Sequence, residues 1–187
     1  MLVEKRYILT SQNNVVERIK LNERTKVFQP KYRESLLTAV SVGFFFILIG
    51  SIFVTTPNLF DNIIAFFSDF DIVPVPNTEI HLPAPKFLPT SPSANSAVYS
   101  AVGQFSLIWA LFEIVFLVLR LIARSPLSKK AETGSNVVFW LGASYLIQTL
   151  LNETTTTTTW FVFWAEVIML IGVSLVIRAI ILAAVRR

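Results

Sequence analysis

Residues Ala97 to Leu119 read AVYSAVGQFSLIWALFEIVFLVL and contain one charged side chain, Glu113. A helix of that length, rising ~1.5 Å per residue, crosses the ~30 Å hydrocarbon core of a bilayer. Continued to Arg124, the helix gathers its polar residues. At ~100° per residue, Ser106, Glu113, Arg120 and Arg124 fall on one side, with Trp109 beside them. A side that carries charge cannot face lipid, so this helix needs partners from the same chain or from another.

The rest of the sequence repeats the apolar theme. Of 187 residues 53% are hydrophobic and only 15% are charged, and the apolar residues come in long blocks without a strand or helix period. Sixteen Phe and four Trp suit lipid and membrane interfaces. These features predict an all-α integral membrane protein with four transmembrane helices, over residues 36–56, 97–124, 136–152 and 160–185. Two domains are expected: a basic N-terminal segment, 1–35, and a four-helix transmembrane domain, 36–187.

Residues 1–35 carry eight Lys/Arg and four Asp/Glu and lack the apolar run of a signal peptide. Two structures compete for them. Asn14 to Glu17 fits a capping box before a helix that runs towards Lys26. Alternatively, Tyr7-Ile8-Leu9 and the run from Val15 to Leu21 flank a polar turn as a β-hairpin, which is slightly favoured. Pro30 is expected to break the chain before the first span. In that span Ala39, Gly43 and Gly50 are small residues at helix-packing intervals.

The segment 57–95 is the compositional outlier, with seven of the nine prolines. After Asn58, Leu59, Phe60, Ile63, Ile64, Phe67 and Phe70 fall on one side of a short helix, and Asp61, Asn62, Ser68, Asp69 and Asp71 on the other. A helix too short to span, with such a division, belongs at the membrane interface. The Pro-rich remainder is expected to be extended or polyproline-like, and its Val, Ile and Leu residues point to docking rather than disorder. Between the second and third spans a polar turn is expected over 125–135, with Lys129, Lys130, Gly134 and Ser135.

Loop charge alternates along the chain. The 57–95 loop has Lys86 against Asp61, Asp69, Asp71 and Glu79, and the 152–159 loop has no Lys or Arg. The N-terminal segment, the 125–135 loop and the C-terminal Arg186-Arg187 are basic. The positive-inside rule then places both termini in the cytoplasm of a multi-pass cell-membrane protein. Asn152-Glu153-Thr154 is a glycosylation sequon in a loop expected to face outwards.

Few residues carry chemistry. Glu113 in the second span and Glu166 in the fourth lie within apolar surroundings, and Arg120 and Arg178 lie towards the expected cytoplasmic ends. Intramembrane ionisable residues are usually paired or functional. A Glu113–Arg178 bridge between spans is geometrically allowed, and Glu166 is within reach of Ser144, Tyr145 or Gln148. A chain with no Cys and one His, His81, offers no haem, zinc, copper or iron–sulfur site, so no metal or cofactor is expected. There is no metalloprotease, nucleophile-elbow, phosphate-loop or dinucleotide motif, and no enzyme is expected. The expected partners are the bilayer and other membrane chains, either copies of itself in a homo-oligomer or subunits of a complex. Nucleic acid is not among them. The competing expectation is a small oligomeric channel or transporter with Glu113 near the path.

Overall fold

The computed structural model describes residues 30–86 and 95–184. The expected N-terminal hairpin or helix lies outside the described residues. The protein is mostly helical: α1 (Pro30–Thr55), α2 (Leu59–Ser68), β1 (Phe70–Pro74), β2 (His81–Pro85), α3 (Ser96–Ile122), α4 (Leu127–Leu150) and α5 (Thr157–Ala184). Three of these helices, α1, α3 and α5, are long and apolar enough to cross a membrane. The chain divides into two units, residues 1–43 and 44–187, and α1 begins in the first and ends in the second. Pro30 opens α1 instead of breaking the chain before it. Proline has no N–H to lose at a first helical position, and its fixed φ already suits the helix.

In the second unit α3 is the central element. Its buried residues include Tyr99, Gly103, Ser106, Ala110, Glu113 and Arg120. Their intervals of three, four and seven make a coiled-coil-like seam. Gly103, Ser106 and Ala110 are small, as are Ala131, Thr133, Ala143 and Ser144 on the buried side of α4. Small residues let membrane helices approach closely. The two helices run antiparallel: Gly103 lies against Ile147 near one end, and Arg120 meets Lys129 and Thr133 near the other. Facing α1, α3 stacks aromatic rings, with Phe44 and Phe112 parallel at 4.0 Å and Trp109 among Phe44, Phe45 and Phe105.

α4 begins well before the expected span, and the expected 125–135 turn is its first two helical turns. Pro126 precedes the first helical residue, Lys129 and Lys130 donate backbone N–H bonds back to its carbonyl, and Ala131 and Thr133 are buried on the helix they start. Gly134 is tolerated within the helix because Ile181 fills the space beside it: a Cβ there would lie 3.3 Å from Ile181 Cδ1. α5 likewise starts inside the threonine tract. The Thr156 hydroxyl accepts the Thr159 N–H at 3.2 Å, an N-cap that lets Thr157 to Thr159 join the helix.

α4 and α5 approach closely at Gly142. A Cβ there would lie 2.5 Å from Leu170 Cδ1 and 2.9 Å from Cδ2. Gly142→Leu is therefore expected to lower stability by ~1–3 kcal/mol through overpacking. Adding Leu170→Ala should restore much of that loss in a double-mutant cycle. Additive losses would show that the clash is not the cause.

Over its described residues, to Lys86, the Pro-rich segment is a hairpin and not polyproline. β1 and β2 form an antiparallel hairpin, with Phe70 opposite Pro85, Ile72 opposite Pro83 and Pro74 opposite His81. Each strand of a two-stranded sheet has a free edge, so proline's missing N–H need not break the ladder. The turn closes through Val75 N–H to Ile80 O at 2.8 Å, with Asn77 at φ 62°. The hairpin docks through other residues than expected: Ala84 is buried and Phe70 packs edge-on to Trp160 at the start of α5, whereas Ile72, Ile80 and Leu82 are exposed. On the expected apolar side of α2, Leu59 is buried, whereas Phe60, Ile64 and Phe67 are exposed; the second buried residue is Phe66, which was not among those expected.

One exposed ion pair ties the hairpin, Lys86 Nζ to Asp71 Oδ2 at 3.2 Å. The Ile72 N–H bond to its carboxylate and then the Lys86 ammonium hold Asp71 below its ordinary value of 3.8. The folded value is the lower one, so the contribution to stability is full above about pH 3.8 and fades as pH falls through the folded value. Hairpin amides should therefore exchange more slowly in the wild type than in Asp71→Asn at neutral pH, and the ratio should approach one as the pH falls through the folded value, below 3.8. A ratio that does not change with pH would contradict this.

Candidate functional site

The charged side of α3 faces α4. Ser106, Glu113 and Arg120 are 1%, 6% and 8% exposed, so the stripe expected from helical periodicity is a buried seam. Arg124 departs from it: the helix ends at Ile122, and Arg124 is an exposed residue with φ 53°. Ser106 satisfies its hydroxyl within α3, donating to Val102 O at 2.8 Å.

Arg120 is the best-connected group of the seam. Its Nη1 donates to Lys129 O at 2.9 Å and to the Thr133 hydroxyl, which itself donates to Lys129 O at 3.0 Å. Its guanidinium carbon lies 5.1 Å from the Phe116 ring centre. The cation also sits in the last turn of α3, where helix carbonyls point outwards. Arg120 is thus held by a backbone carbonyl, a hydroxyl and a ring, and makes no ion pair within 4 Å among the described residues.

Glu113 lies beside Asn136 of α4, with Arg120 the cation that acts most strongly on it. The bridge to Arg178 allowed by the sequence does not form. Arg178 is exposed, and its electrostatic neighbour is Glu132, which pairs with Lys129 at 2.9 Å. The azimuth of Glu113 on α3 directs it to α4, not to α5. Asn136 was missed from the sequence, although it stands seven residues before the buried Ala143 and so falls on that side of α4.

Glu166 is half-buried and reaches none of its expected partners through a hydrogen bond or ion pair among the described residues. Tyr145 is exposed, and Ser144 instead accepts from Gln148 Nε2 at 2.9 Å. Asn152 is tied into its loop: Nδ2 donates to Thr149 O, and Oδ1 accepts from the Thr154 N–H and hydroxyl at 2.8 and 2.6 Å. The sequon's own threonine thus holds the asparagine that a glycan would modify.

The seam therefore holds charge without displaying a nucleophile–base pair. No family model, curated protein or solved structure matches the chain.

Proposed function

We propose that this is a four-crossing membrane protein that acts by association, as a homo-oligomer or as a subunit of a membrane complex. α4 has Asn136, Ser144, Gln148 and Thr149 along it and is less apolar than its neighbours. Its 24 residues nevertheless reach ~36 Å. It packs along both α3 and α5 and joins them through residues 123–126 and 151–156. Links that short support α4 crossing wherever its neighbours do. Loop charge supports both termini on the cytoplasmic side.

The absence of cysteine allows a clean test of crossing and orientation. In intact cells, Glu79→Cys and Glu153→Cys should react with an impermeant maleimide, and Ser128→Cys only after permeabilisation. Equal labelling at 128 and 153 would remove the α4 crossing. Labelling of Ser128→Cys alone would reverse the orientation.

The observation that carries association is the bareness of α5. Its most apolar 18-residue stretch contains no buried residue. Ile168, Met169, Val173, Val176 and Ile180 are exposed, and Gly172 has nothing within 4 Å of where a Cβ would stand. Such a surface, with a small residue at its centre, suits a neighbouring helix. Native mass determination in mild detergent should give a multiple of the chain mass or co-purifying chains. Gly172→Leu should reduce that association while leaving the monomer's stability within ~0.5 kcal/mol. A monomer at every concentration, with no co-purifying chain, would refute it.

The second reading, a small oligomeric channel or transporter, is favoured only by Glu113, a buried carboxyl without an ion pair among the described residues. It requires ion flux in proteoliposomes that is lost on Glu113→Gln. Flux equal to empty vesicles would end it.

A further inference from the structure

At the hairpin end of the bundle, α3 and α4 part to leave a cavity of about 440 Å³. Its walls include Ser96, Ser100 and Gln104 of α3, Gln148 of α4 and Glu153 of the α4–α5 loop, with Leu107 at its deep end. Gly103 lets the walls approach here, since a Cβ on it would lie 3.2 Å from Ile147 Cγ2 and 3.8 Å from Gln148 Cγ.

We infer that this cavity binds the uncharged, hydroxyl-rich headgroup of a lipid. The inference rests on α3 and α5 being membrane spans, but not on association or on the number of crossings. Gln104 is eight residues into α3, ~12 Å along its axis, and both Gln104 and Gln148 are exposed on the surface of the bundle. Polar side chains facing hydrocarbon at that depth are unfavourable unless a polar group covers them.

The polar groups define what that cover must be. Gln148 spends its Nε2 on Ser144, leaving its carbonyl oxygen free to accept. Gln104 Nε2 makes a long contact to the Ser100 hydroxyl at 3.4 Å, so its carbonyl oxygen and the Ser100 proton remain available. Glu153 adds a carboxylate at the rim, exposed to water. Carboxamides and hydroxyls that both donate and accept match a ligand whose groups do the same, and sugar hydroxyls do. Among the described residues no Lys, Arg or His lines the cavity. A phosphate would meet acceptors and the Glu153 carboxylate with no cation to balance it, so phospholipid headgroups are disfavoured. The deep end at Leu107 continues into the apolar flank of α3, where Ile108, Leu111 and Val115 are exposed, so acyl chains have a path that a free sugar would not use.

The test uses the full chain purified in a detergent without a sugar headgroup. Thermal-shift titrations compare monoglucosyl-diacylglycerol, diacylglycerol, phosphatidylglycerol and methyl glucoside. Sedimentation of the protein with membranes, assayed beforehand, tests the spans separately, so a failed titration counts against the cavity alone. The glucosyl lipid should bind about tenfold more tightly than either other lipid. Methyl glucoside should not bind at matched concentration. Gln104→Leu and Gln148→Leu change exposed helix positions that suit leucine, and each should reduce the preference several-fold. Leu107→Trp should narrow the deep end and weaken both sugar-bearing and sugar-free lipids. Equal affinity for the three lipids, a preference for phosphatidylglycerol, binding of methyl glucoside as tight as the lipid, or an unchanged preference in both glutamine variants would each overturn the inference.

Discussion

Arg120→Ala is expected to lower the free energy of unfolding by ~3–5 kcal/mol, the range for removing one member of a buried charged cluster. The side chain is 8% exposed and fastens the last turn of α3 to the first turns of α4 through Lys129 O and Thr133. Three losses combine in the alanine variant. The backbone carbonyl loses a charge-assisted donor, the Phe116 ring loses its cation, and Glu113 loses the cation that acts on it. Arg120→Lys should recover only part of the loss, because an ammonium on a single stem does not reproduce the planar guanidinium over the ring. The diagnostic comparison is Arg120→Ala in a Glu113→Gln background, where no carboxylate is left without its cation. There the alanine effect should shrink by ~0.5–3 kcal/mol. Unfolding in mixed micelles, followed by tryptophan fluorescence, reads all four states. Effects that add within ~0.5 kcal/mol would mean that Glu113 and Arg120 do not act together.

That Ser106, Glu113 and Arg120 would be buried together was legible, because residues seven apart return to one side of a helix whatever surrounds it. Which helix would cover them was not. A single azimuth leaves the neighbour undetermined, and the Glu113–Arg178 bridge required knowing that α4, not α5, lies against that side. Arg124 was misassigned because the periodicity was carried past the helix end at Ile122. The start of α4 was hidden by residues that usually signal a turn. Lys129-Lys130 and Gly134-Ser135 read as a loop in sequence, but burial of Ala131 and Thr133 against α3, and of Gly134 against Ile181, outweighs their weak local preference. The hairpin was missed for a related reason. Proline density favours polyproline in isolation, whereas pairing and docking of Phe70, Ala84 and Pro85 favour a strand that tolerates proline at its edges. Phe66 was passed over for Phe67 because several apolar residues compete for the inward side of α2, and only contact with α3 and α5 selects among them.

Trp160→Ala should have an effect of similar size, ~3–5 kcal/mol, at the opposite end of the α3–α4 seam. Trp160 is 4% exposed, and its ring contacts Phe66 of α2 at 6.2 Å, Phe70 of β1 at 5.8 Å and Phe163 of its own helix at 6.4 Å. With Phe66 and Phe70 it therefore joins α2, β1 and α5, and alanine would leave a cavity among the rings that remain. Trp160→Phe separates packing from polarity. The indole Nε1 is buried without a hydrogen-bond partner among the described residues, so the smaller ring removes an unsatisfied donor while losing part of the contact area. The two changes oppose each other, and the phenylalanine variant should lose less than ~1.5 kcal/mol. The loss should also be local. Limited proteolysis between β1 and β2 should accelerate in Trp160→Ala, while amide exchange around Arg120 and Thr133 stays near wild type, because the polar end of the seam does not depend on the aromatic cluster. Equal losses for alanine and phenylalanine would point to the indole nitrogen as the group that matters. Loosening at both ends would mean that the seam and the aromatic cluster fold as one unit.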